Sequence, residues 1–328
     1  MPYNTLMSEP GKRLSTEPYK GVRDFYPEDM AVQNHIFSIW KRVAHEFGYE
    51  EYAASILEPA ELYRSKGSDE IVNEQMFTFT DRGGREVALR PEMTPSLARM
   101  IAAKRKSLKF PLRWFTIANC FRYERPQRGR KREHWQLNCD VMGIAGIEAE
   151  VEIIELAYKI MRAFGAKDED FEIRINSRKT IAEVFGPIKK NEIQWPEVYR
   201  FLDRRPKLSP EEQEAGNKKH FTRPFSDDDA KKIHENPSLA KIKQELGKKG
   251  VNNVVLDSSL MRGFEYYTDT VFEVFDTHPD NRRSLFGGGR YDNLLEIFGV
   301  EPVPTVGFGM GDVTMRDFLE THGLPLKN

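Results

Sequence analysis

The chain has 328 residues, of which 39% are apolar and 31% are charged, and its 50 basic and 51 acidic side chains leave a net charge of −1. This composition excludes a disordered chain, and no apolar run approaches the ~20 residues of a membrane-spanning helix. Global charge does not predict nucleic-acid binding, so any such surface must come from local clusters of basic residues. The length allows one large domain with an insertion, or two domains.

The cysteines and histidines narrow the class of site. Cys120 and Cys139 give no disulfide framework and suit a reducing cytosol, so we expect a cytoplasmic protein. The seven histidines are scattered and show none of the short spacings of a zinc site. The first 18 residues lack the apolar region of a secretory signal and are expected to form a flexible tail.

Early in the chain, apolar spacing predicts a helix over 28–47, followed by Gly48 at its C-terminal cap. Two short strands, Met76–Thr80 and Glu86–Arg90, are separated by residues typical of a hairpin turn. Thr94 is expected to cap the next helix, with a proline at the first helical position.

The next two predicted strands form a long hairpin with two different faces. Trp114–Phe121 is aromatic and apolar, whereas His134–Met142 alternates, with Leu137 on an apolar face and a polar face that carries His134, Gln136, Asn138 and Asp140. A polar strand face is usually solvated, but Arg122 and Glu124 lie beside this one. Because arginine matches phosphate oxygens with two hydrogen bonds, the hairpin is a candidate nucleotide site. Between the strands lies the basic loop Arg125–Arg132, and its Arg128–Arg132 part, taken by itself, is better explained as a solvated loop.

The later part of the chain mixes helices and strands. Apolar spacing predicts a helix that ends at Gly165, a strand over 171–175, and further strands at 254–256, 271–275 and 305–309. This pattern predicts an α+β fold, with an antiparallel sheet flanked by helices, and not a doubly wound sheet.

The domain organisation follows from a change in composition. Residues 177–250 are rich in proline, lysine, glutamate and aspartate, with weak helical periodicity, and predict an inserted helical module. The main domain would then comprise residues 19–176 and 251–328, preceded by the tail at 1–18.

Two further segments are unusual for plain strands. Arg262–Thr268 places an arginine and two tyrosines at what is expected to be a strand opening, although tyrosines are also common in ordinary strands. Gly287–Gly289 is more typical of a tight turn. Gly307–Gly311 has glycines at alternate positions, which leave one strand face bare for a flat ring. Neither glycine run matches a phosphate-binding loop or a dinucleotide-binding motif.

Taken in chain order, these segments resemble the motifs of histidyl-tRNA synthetases, which are class II aminoacyl-tRNA synthetases. The resemblance begins near Lys20-Gly21-Val22-Arg23-Asp24 and covers most of the chain apart from the inserted module. Its motifs are Leu89–Thr94, Phe121–Gln127 with Gly129-Arg130, then Gln136 and Asp140, then Arg262–Tyr267, Gly288–Asp292 and Gly307–Gly311. The arginine followed by two tyrosines is the part most specific to the histidine enzymes.

The resemblance implies a homodimeric ligase that activates histidine with Mg-ATP and transfers it to the acceptor end of tRNA. It assigns Arg122 and Arg262 to the ATP α-phosphate as catalytic residues. Further ATP contacts would be Glu124, Arg130 and Gly309. The implied ligands of the amino acid are Glu92, Thr94, Gln136, Asp140, Tyr266 and Tyr267, and the implied tRNA contacts are Arg128, Arg130 and Arg132. Mg²⁺ is expected to arrive with ATP, since the sequence offers no metal cluster.

Three departures from the family pattern have consequences. Asp140 stands where the family usually has glutamate, and Ser55 lies near a usual interface proline. Thr314 occupies the position of an arginine that clamps the γ-phosphate. Arg316 would point elsewhere on a helix, so another cation would have to substitute. Family members also continue into an anticodon-binding domain, so we expect a catalytic core without that domain.

Two alternative functions stay open at this point. The histidine-sensing regulatory subunit of ATP phosphoribosyltransferase resembles the same fold. Thr314 and the expected lack of an anticodon-binding domain favour it, whereas the arginines Arg122 and Arg262 disfavour it, because a sensor does not need them. The third possibility is an RNA-binding relative that uses only the basic loop.

Overall fold

The computed structural model describes residues 14–65, 71–185, 195–205, 208–221 and 227–327. Within these ranges the strands form an eight-stranded sheet, in the order β1-β5-β6-β11-β10-β9-β7-β8, and a three-stranded sheet, in the order β2-β4-β3. The strands are β1 Glu50–Glu51, β2 Leu57–Pro59, β3 Phe77–Thr80, β4 Glu86–Leu89, β5 Leu112–Phe121, β6 Glu133–Met142, β7 Phe171–Ser177, β8 Val254–Leu256, β9 Thr270–Asp276, β10 Ser284–Arg290 and β11 Thr305–Gly311.

The large sheet is antiparallel through its six central strands, and only its edge strands β1 and β8 pair in parallel. The strands β5 and β6 are each ten residues long and pair from Leu112 with Met142 to Phe121 with Glu133. The predicted α+β fold with an antiparallel sheet flanked by helices is confirmed, and so is the long hairpin.

Helices cover one face of the large sheet. The α-helices of the described ranges are α1 Pro27–Glu46, α2 Ala60–Arg64, α3 Thr94–Lys104, α4 Glu148–Ala163, α5 Arg178–Phe185, α6 Trp195–Arg204, α7 Pro210–His220, α8 Asp227–His234, α9 Pro237–Lys248 and α10 Asp312–Thr321. None of the described helices is long and apolar enough to cross a membrane.

The main core lies between the sheet and the helices α1, α4, α9 and α10. Trp40 of α1, Ile153 of α4 and Phe318 of α10 are fully buried there. They meet the apolar face of β6, where Leu137 and Cys139 are also fully buried. The alternation predicted for β6 is therefore confirmed, and it leaves the opposite face of the sheet free of helices from this layer.

The early elements agree with prediction except at one cap. The helix α1 ends at Glu46, and Gly48 follows with φ +77°. The hairpin of β3 and β4 forms as expected, with Asp81 accepting hydrogen bonds in its turn from the main-chain N–H groups of residues 83 and 85. The prediction that Thr94 caps α3 is wrong. Met93 is the cap residue and Thr94 is the first helical residue, with no side-chain capping bond.

Two predictions for the later strands are also wrong. Gly287–Gly289 is not a turn but the centre of β10, because β9 and β11 pair with it on both sides. The segment Arg262–Thr268 does not open a strand. It lies in an irregular segment, and β9 begins only at Thr270.

The helices after β7 divide between two cores. Ile181 of α5, Val198 of α6 and Ile233 of α8 share a small separate core with Met261. By contrast, Leu246 of α9 belongs to the main core with α4. The periodicity predicted over 188–202 is observed for α6, and residues 186–194 lie outside the described ranges. The domain boundaries at 176 and 250 stay a prediction.

A buried ion pair ties the sheet to α4. The guanidinium of Arg290, at the end of β10, donates from Nε and Nη2 to the two carboxylate oxygens of Glu150, each at 2.6 Å. The same guanidinium also donates to the main-chain oxygens of Ile144 and Gly146. Both charged side chains are almost inaccessible to solvent.

Removing one partner of this pair leaves the other charge buried and uncompensated. We therefore expect Arg290→Met to lower the free energy of unfolding by about 3–5 kcal/mol, measured by urea denaturation. The exposed pair of Arg64 and Glu86 provides the control, because Arg64→Met should leave the transition unchanged. Equal effects of the two substitutions would contradict this role of Arg290.

Candidate active site on the open face of the sheet

The face of the large sheet opposite the main core lines a cavity of about 1060 Å³. Four sequence-predicted segments meet there: the polar face of β6, the end of β5 with the basic loop, the Arg262–Tyr267 segment and the glycine strands β10 and β11. All the predicted site residues except Arg132 line this cavity. A cavity of this size with convergent polar groups is the usual form of a small-molecule site.

The floor of the cavity is a row of bare backbone. Across the sheet, Asn138 of β6 stands opposite Gly309 of β11, Gly309 opposite Gly287 of β10, and Gly287 opposite Glu273 of β9. A Cβ at Gly287 would come within 3.0 Å of the Glu273 Cα, and one at Gly309 would overlap the Gln136 side chain. Glycine is therefore required for the floor to stay open.

Two carboxylates at one end of the cavity each accept a hydrogen bond from a tyrosine. The hydroxyl of Tyr266 donates to Glu92 at 3.1 Å, and the hydroxyl of Tyr291 donates to Asp140. The two tyrosine rings lie edge to face, 5.5 Å apart. The Thr94 hydroxyl opposes the rise in the pKa of Tyr266 that burial causes, so Thr94 faces the cavity.

Burial changes the protonation of both carboxylates. It raises the pKa of Glu92 to about 7, against the opposing effects of the Arg122 charge and the Tyr266 hydroxyl. Burial likewise raises the pKa of Asp140 to about 7, opposed by the Tyr291 hydroxyl. Among the residues that the structure describes, the Glu92 Oε1 atom is buried without a hydrogen-bond partner. This end of the cavity is therefore suited to a cation that would neutralise the carboxylates and bind their free oxygen.

Two arginines face the cavity beyond the carboxylates. Arg122 is positioned by its Nε, which donates to the main-chain oxygen of Pro91 at 2.9 Å. Arg262 has φ +58°, and its Nη1 donates to Glu273. Its Nε atom is buried and has no hydrogen-bond partner within the described ranges. Paired arginines of this kind suit an anionic group such as a phosphate.

The charge of Arg262 is secured by its neighbours. Burial works against the charge, but the carboxylate of Glu273 and the nearby Tyr267 outweigh it and hold the pKa of Arg262 above its usual range. The imidazole of His134 behaves in the opposite way. Burial and the charge of Arg122 lower the pKa of His134 to about 3, so this ring is neutral beside the arginines.

The basic loop is less exposed than the sequence suggested. Arg132 is buried, and its guanidinium carbon lies 3.8 Å from the centre of the Tyr123 ring. Its Nη1 donates to the Tyr19 hydroxyl. Arg128 donates to Asp317 at 2.7 Å, and Arg130 lies 3.5 Å from Glu124. The basic loop is therefore not fully solvated. The assignment of the three arginines to tRNA stays a prediction.

Thr314, with its small hydroxyl side chain, stands where the family has the arginine that clamps the γ-phosphate. Thr314, in the first turn of α10, donates to the main-chain oxygen of Leu285 at 2.8 Å. Arg316 pairs with Asp29 and Glu320 outside the cavity lining, as its place on the helix predicted. Arg283 is a cation near Thr314. Its Nη1 donates to the Arg128 carbonyl oxygen at 2.8 Å. Both this nitrogen and the Thr314 methyl group lie beside Gly129.

Sequence reasoning missed the roles of three residues. Tyr291 belongs to the Gly288–Asp292 motif, but its contact with Asp140 joins positions 151 apart in the chain. Glu273 is an acidic residue with two apolar residues on each side in β9, a pattern that could have indicated a role. Arg283 follows a second arginine just before β10 and gave no distinctive pattern. No group of three or more histidine, cysteine, aspartate or glutamate residues in the described parts of the chain could hold a metal ion.

Comparison with known proteins agrees with this geometry. The sequence model of the family described as histidyl-tRNA synthetase matches residues 21–311. The histidine–tRNA ligase of Leptospira biflexa is 44% identical over 332 residues, which cover 95% of this chain and 76% of that protein. This chain belongs to the histidyl-tRNA synthetase family. The histidine–tRNA ligase of Opitutus terrae is 39% identical over 93% of this chain and 75% of that protein.

The solved structures agree in fold. An ATP phosphoribosyltransferase regulatory subunit/histidyl-tRNA synthetase from Bacillus halodurans superimposes with a TM-score of 0.74 at 23% identity, over 94% of this chain and 84% of that chain. At this identity the likeness establishes the fold. The predicted membership of the histidyl-tRNA synthetase family is confirmed, and with it a ligase of the aminoacyl-tRNA synthetase class, which uses ATP.

The raised pKa of Asp140 predicts a cost of ionisation in the ligand-free protein. A carboxyl group whose folded pKa lies above its unfolded value contributes stability at low pH that is lost as the pH rises through about 7. Asparagine keeps the shape and can accept the Tyr291 hydrogen bond without charge. We therefore expect Asp140→Asn to raise the melting temperature of the ligand-free protein at pH 8 by at least about 2 °C.

This effect is measured by thermal unfolding at pH 5, 6, 7 and 8. The difference between the variant and the original chain should narrow steadily as the pH falls from 7 to 5. Asp228→Asn, at an exposed aspartate that pairs with Lys232, is the control and should give no pH-dependent difference. A lower melting temperature for Asp140→Asn at pH 8 would show that this carboxylate stabilises the empty site.

Proposed function

We propose that the cavity activates histidine with ATP to form histidyl-adenylate and then transfers the histidyl group to the acceptor end of tRNA. The observation that carries the proposal is the convergence, on one bare-backbone floor, of two tyrosine-bonded carboxylates and two partly buried arginines. Such a site can hold a cation and a phosphate side by side, as adenylate formation from an amino acid requires.

The carboxylate end would hold the amino acid. Glu92 and Asp140 are the partners for its ammonium group, and the unpartnered Glu92 Oε1 supports this role. Tyr266 and Tyr267 would form the wall around the imidazole, with Thr94 and Gln136 completing the set. Aspartate at position 140 is one methylene shorter than the usual family residue, and its contact with Tyr291 fixes where it points.

The arginine end would stabilise the reacting phosphate. The carboxylate oxygen of histidine attacks the α-phosphorus of ATP, a new phosphorus–oxygen bond forms, and the bond to the departing pyrophosphate breaks. Arg122 and Arg262 would neutralise the charge that develops on the α-phosphate oxygens, so catalysis would rest on positioning and electrostatic stabilisation. The bare strand at Gly309 offers a flat surface for the adenine ring.

Mg²⁺ would be held chiefly by the phosphates of ATP, because magnesium in such sites takes one or two carboxylates together with substrate oxygens. Glu124 and Glu273 are the carboxylates on the arginine side of the cavity. Glu124 Oε2 is buried and makes no hydrogen bond in the described structure, although Arg130 Nη1 lies 3.5 Å from it, and a carboxylate oxygen of this kind fits the ion. The ion would supply charge neutralisation for the outer phosphates.

Arg283 is the residue we propose in place of the family arginine that is replaced by Thr314. Its guanidinium lies at the cavity edge beside Gly129 and Thr314, and its side chain is about one-third exposed. It is held by the Arg128 carbonyl oxygen and lies 3.8 Å from Asp317, contacts that an incoming anionic phosphate could replace.

The tRNA acceptor end would meet the outer part of the basic loop. Arg128 and Arg130 are each about half exposed and remain the proposed phosphate contacts. Arg132 is buried beneath the Tyr19 and Tyr123 rings, so its support for tRNA binding would be indirect, through the shape of the loop.

A homodimer in the cytosol completes the proposal. The exposed apolar side chains Ile56, Leu57, Phe79 and Tyr123 lie in or beside β2, β3 and the end of β5, and a partner subunit could cover them. Both cysteines are free and buried, which fits a reducing compartment.

The central test is histidine-dependent exchange between ATP and pyrophosphate. We expect the purified protein to catalyse it, and we expect Arg262→Ala to lower kcat by about 10²–10³ with little change in histidine affinity, because the charge is needed mainly in the transition state. Binding of histidine without any exchange would favour the histidine-sensing alternative. A variant in which only the KM for histidine rises would contradict the role of Arg262.

Replacement of Arg283 tests the substitute phosphate contact. We expect Arg283→Ala to raise the KM for ATP by about 10-fold or more, since a charge-assisted hydrogen bond would be lost, while the KM for histidine stays constant. Arg316→Ala is the matched control, because that arginine pairs with Asp29 outside the cavity lining. Equal KM values for ATP in the two variants would remove Arg283 from the site.

A further inference from the structure

Three successive residues at the junction of β7 and α5 fasten both ends of the segment that carries Arg262. Near its start, the side-chain amide of Asn176 donates to the Leu260 carbonyl oxygen at 2.8 Å. At its end, the Ser177 hydroxyl donates to the Asp269 carboxylate, and the Arg178 main-chain N–H donates to the Asp269 carbonyl oxygen at 3.1 Å. The segment 260–269 is therefore closed against this junction.

The side chain of Arg178 fills the inside of the closed segment. It is almost fully buried, its Nε donates to the Met261 carbonyl oxygen at 3.0 Å, and its Nη1 donates to the Tyr267 carbonyl oxygen at 3.2 Å. Its Nη2 donates to the carbonyl oxygen of Arg262 itself. One guanidinium thus directs three main-chain carbonyls of the segment inward.

This contact matters because Arg262 has an unfavourable backbone conformation. Its φ of +58° lies in the left-handed region and is the only positive value at a non-glycine residue in the described chain. Such a conformation costs energy and persists only where the surroundings enforce it. The hydrogen bond from Arg178 to the Arg262 carbonyl, with those to Met261 and Tyr267, supplies that enforcement.

Arginine is chemically suited to this position. Its planar group has five N–H donors in a fixed fork, whereas lysine has three donors on one nitrogen atom. A single ammonium group could not reach carbonyls of residues 261, 262 and 267 in the same geometry. The separation of the three acceptors therefore requires the fork as well as the charge.

The same residue also connects the segment to the helical region. The Tyr199 hydroxyl, on α6, donates to the Arg178 carbonyl oxygen at 3.1 Å, and the Tyr199 ring lies 4.7 Å from the guanidinium carbon. Met261, whose carbonyl binds Arg178, belongs to the small core of α5, α6 and α8. The packing of these helices is thereby joined to the backbone of Arg262.

We propose that Arg178 is a positioning residue for the reaction: it holds Arg262 in the left-handed conformation that directs its guanidinium at the reacting phosphate. Tyr199 supports it from the helical region. This inference rests on the role given to Arg262 in the proposed function. Arg178 itself contacts main-chain carbonyls and is not assigned to substrate.

The test is a double-mutant cycle between Arg178→Lys and Arg262→Ala, followed by ATP–pyrophosphate exchange. We expect Arg178→Lys alone to lower kcat by about 10- to 100-fold, since misplacement of a catalytic group by about 1 Å has an effect of this size. Histidine affinity should change by less than about threefold. In the Arg262→Ala background the same substitution should lower kcat by less than about twofold, because its effect acts through Arg262.

Two outcomes would overturn the inference. Equal losses of kcat in both backgrounds would mean that Arg178 supports the segment generally, and an unchanged kcat for Arg178→Lys would mean that the fork is not needed. If Arg262→Ala alone left exchange unchanged, the proposed role of Arg262 would fail, which is a separate result. Arg113→Lys, which alters an arginine paired with Glu152 outside the cavity, is the control and should keep the original kcat.

Tyr199→Phe extends the test if Arg178→Lys does not fold. This variant removes only the hydroxyl that donates to Arg178 and keeps the ring. We expect a smaller loss of kcat, about three- to tenfold, that disappears in the Arg262→Ala background. A loss that persists in that background would contradict the link from the helices to Arg262.

Discussion

The site depends on a constraint in two central strands, which must carry side chains on one face and none on the other. On the core face, Phe286 and Phe308 pack with the helices, while on the cavity face Gly287 and Gly309 expose their backbone. A Cβ on the cavity face would meet neighbouring main chain or the polar side chains of β6. Because Gly287 pairs with strands on both sides, and Gly309 does too, the floor is held in place and yet open. The carboxylates and arginines stand around this floor.

The charges around the floor are arranged for ligands that carry opposite charges. Desolvation raises the pKa values of Glu92 and Asp140, which makes ionisation of these two carboxyl groups costly near neutral pH. The same low-dielectric surroundings strengthen any ion pair that a ligand completes. Arg262, by contrast, keeps its charge through Glu273. The protein therefore gives up some stability at the site for binding strength, a common feature of functional positions.

Features set by neighbouring residues could be predicted from the sequence, whereas contacts between residues far apart in the chain could not. Alternation along β6 was local and was predicted correctly, as were α1 and the hairpin of β3 and β4. Gly287–Gly289 was misread because its local preference for a turn is overridden by pairing on both sides. The contact of Tyr291 with Asp140 could not be predicted, because it depends on the register of strands far apart in the chain. The burial of Arg132 depends likewise on the packing of Tyr19 and Tyr123 around it.

The left-handed residue at position 262 shows why the site needs support from outside the cavity. Glycine would adopt that backbone conformation without strain, and Gly263 follows immediately, but glycine offers no guanidinium. An arginine at position 262 supplies the guanidinium that the proposed function needs, but its left-handed backbone conformation is unfavourable for a residue with a side chain. The conflict is resolved by a second arginine, Arg178, whose donors hold the strained carbonyl in place. Since Arg178 is itself held by Tyr199, the backbone of a proposed catalytic residue is set partly by helices outside the sheet.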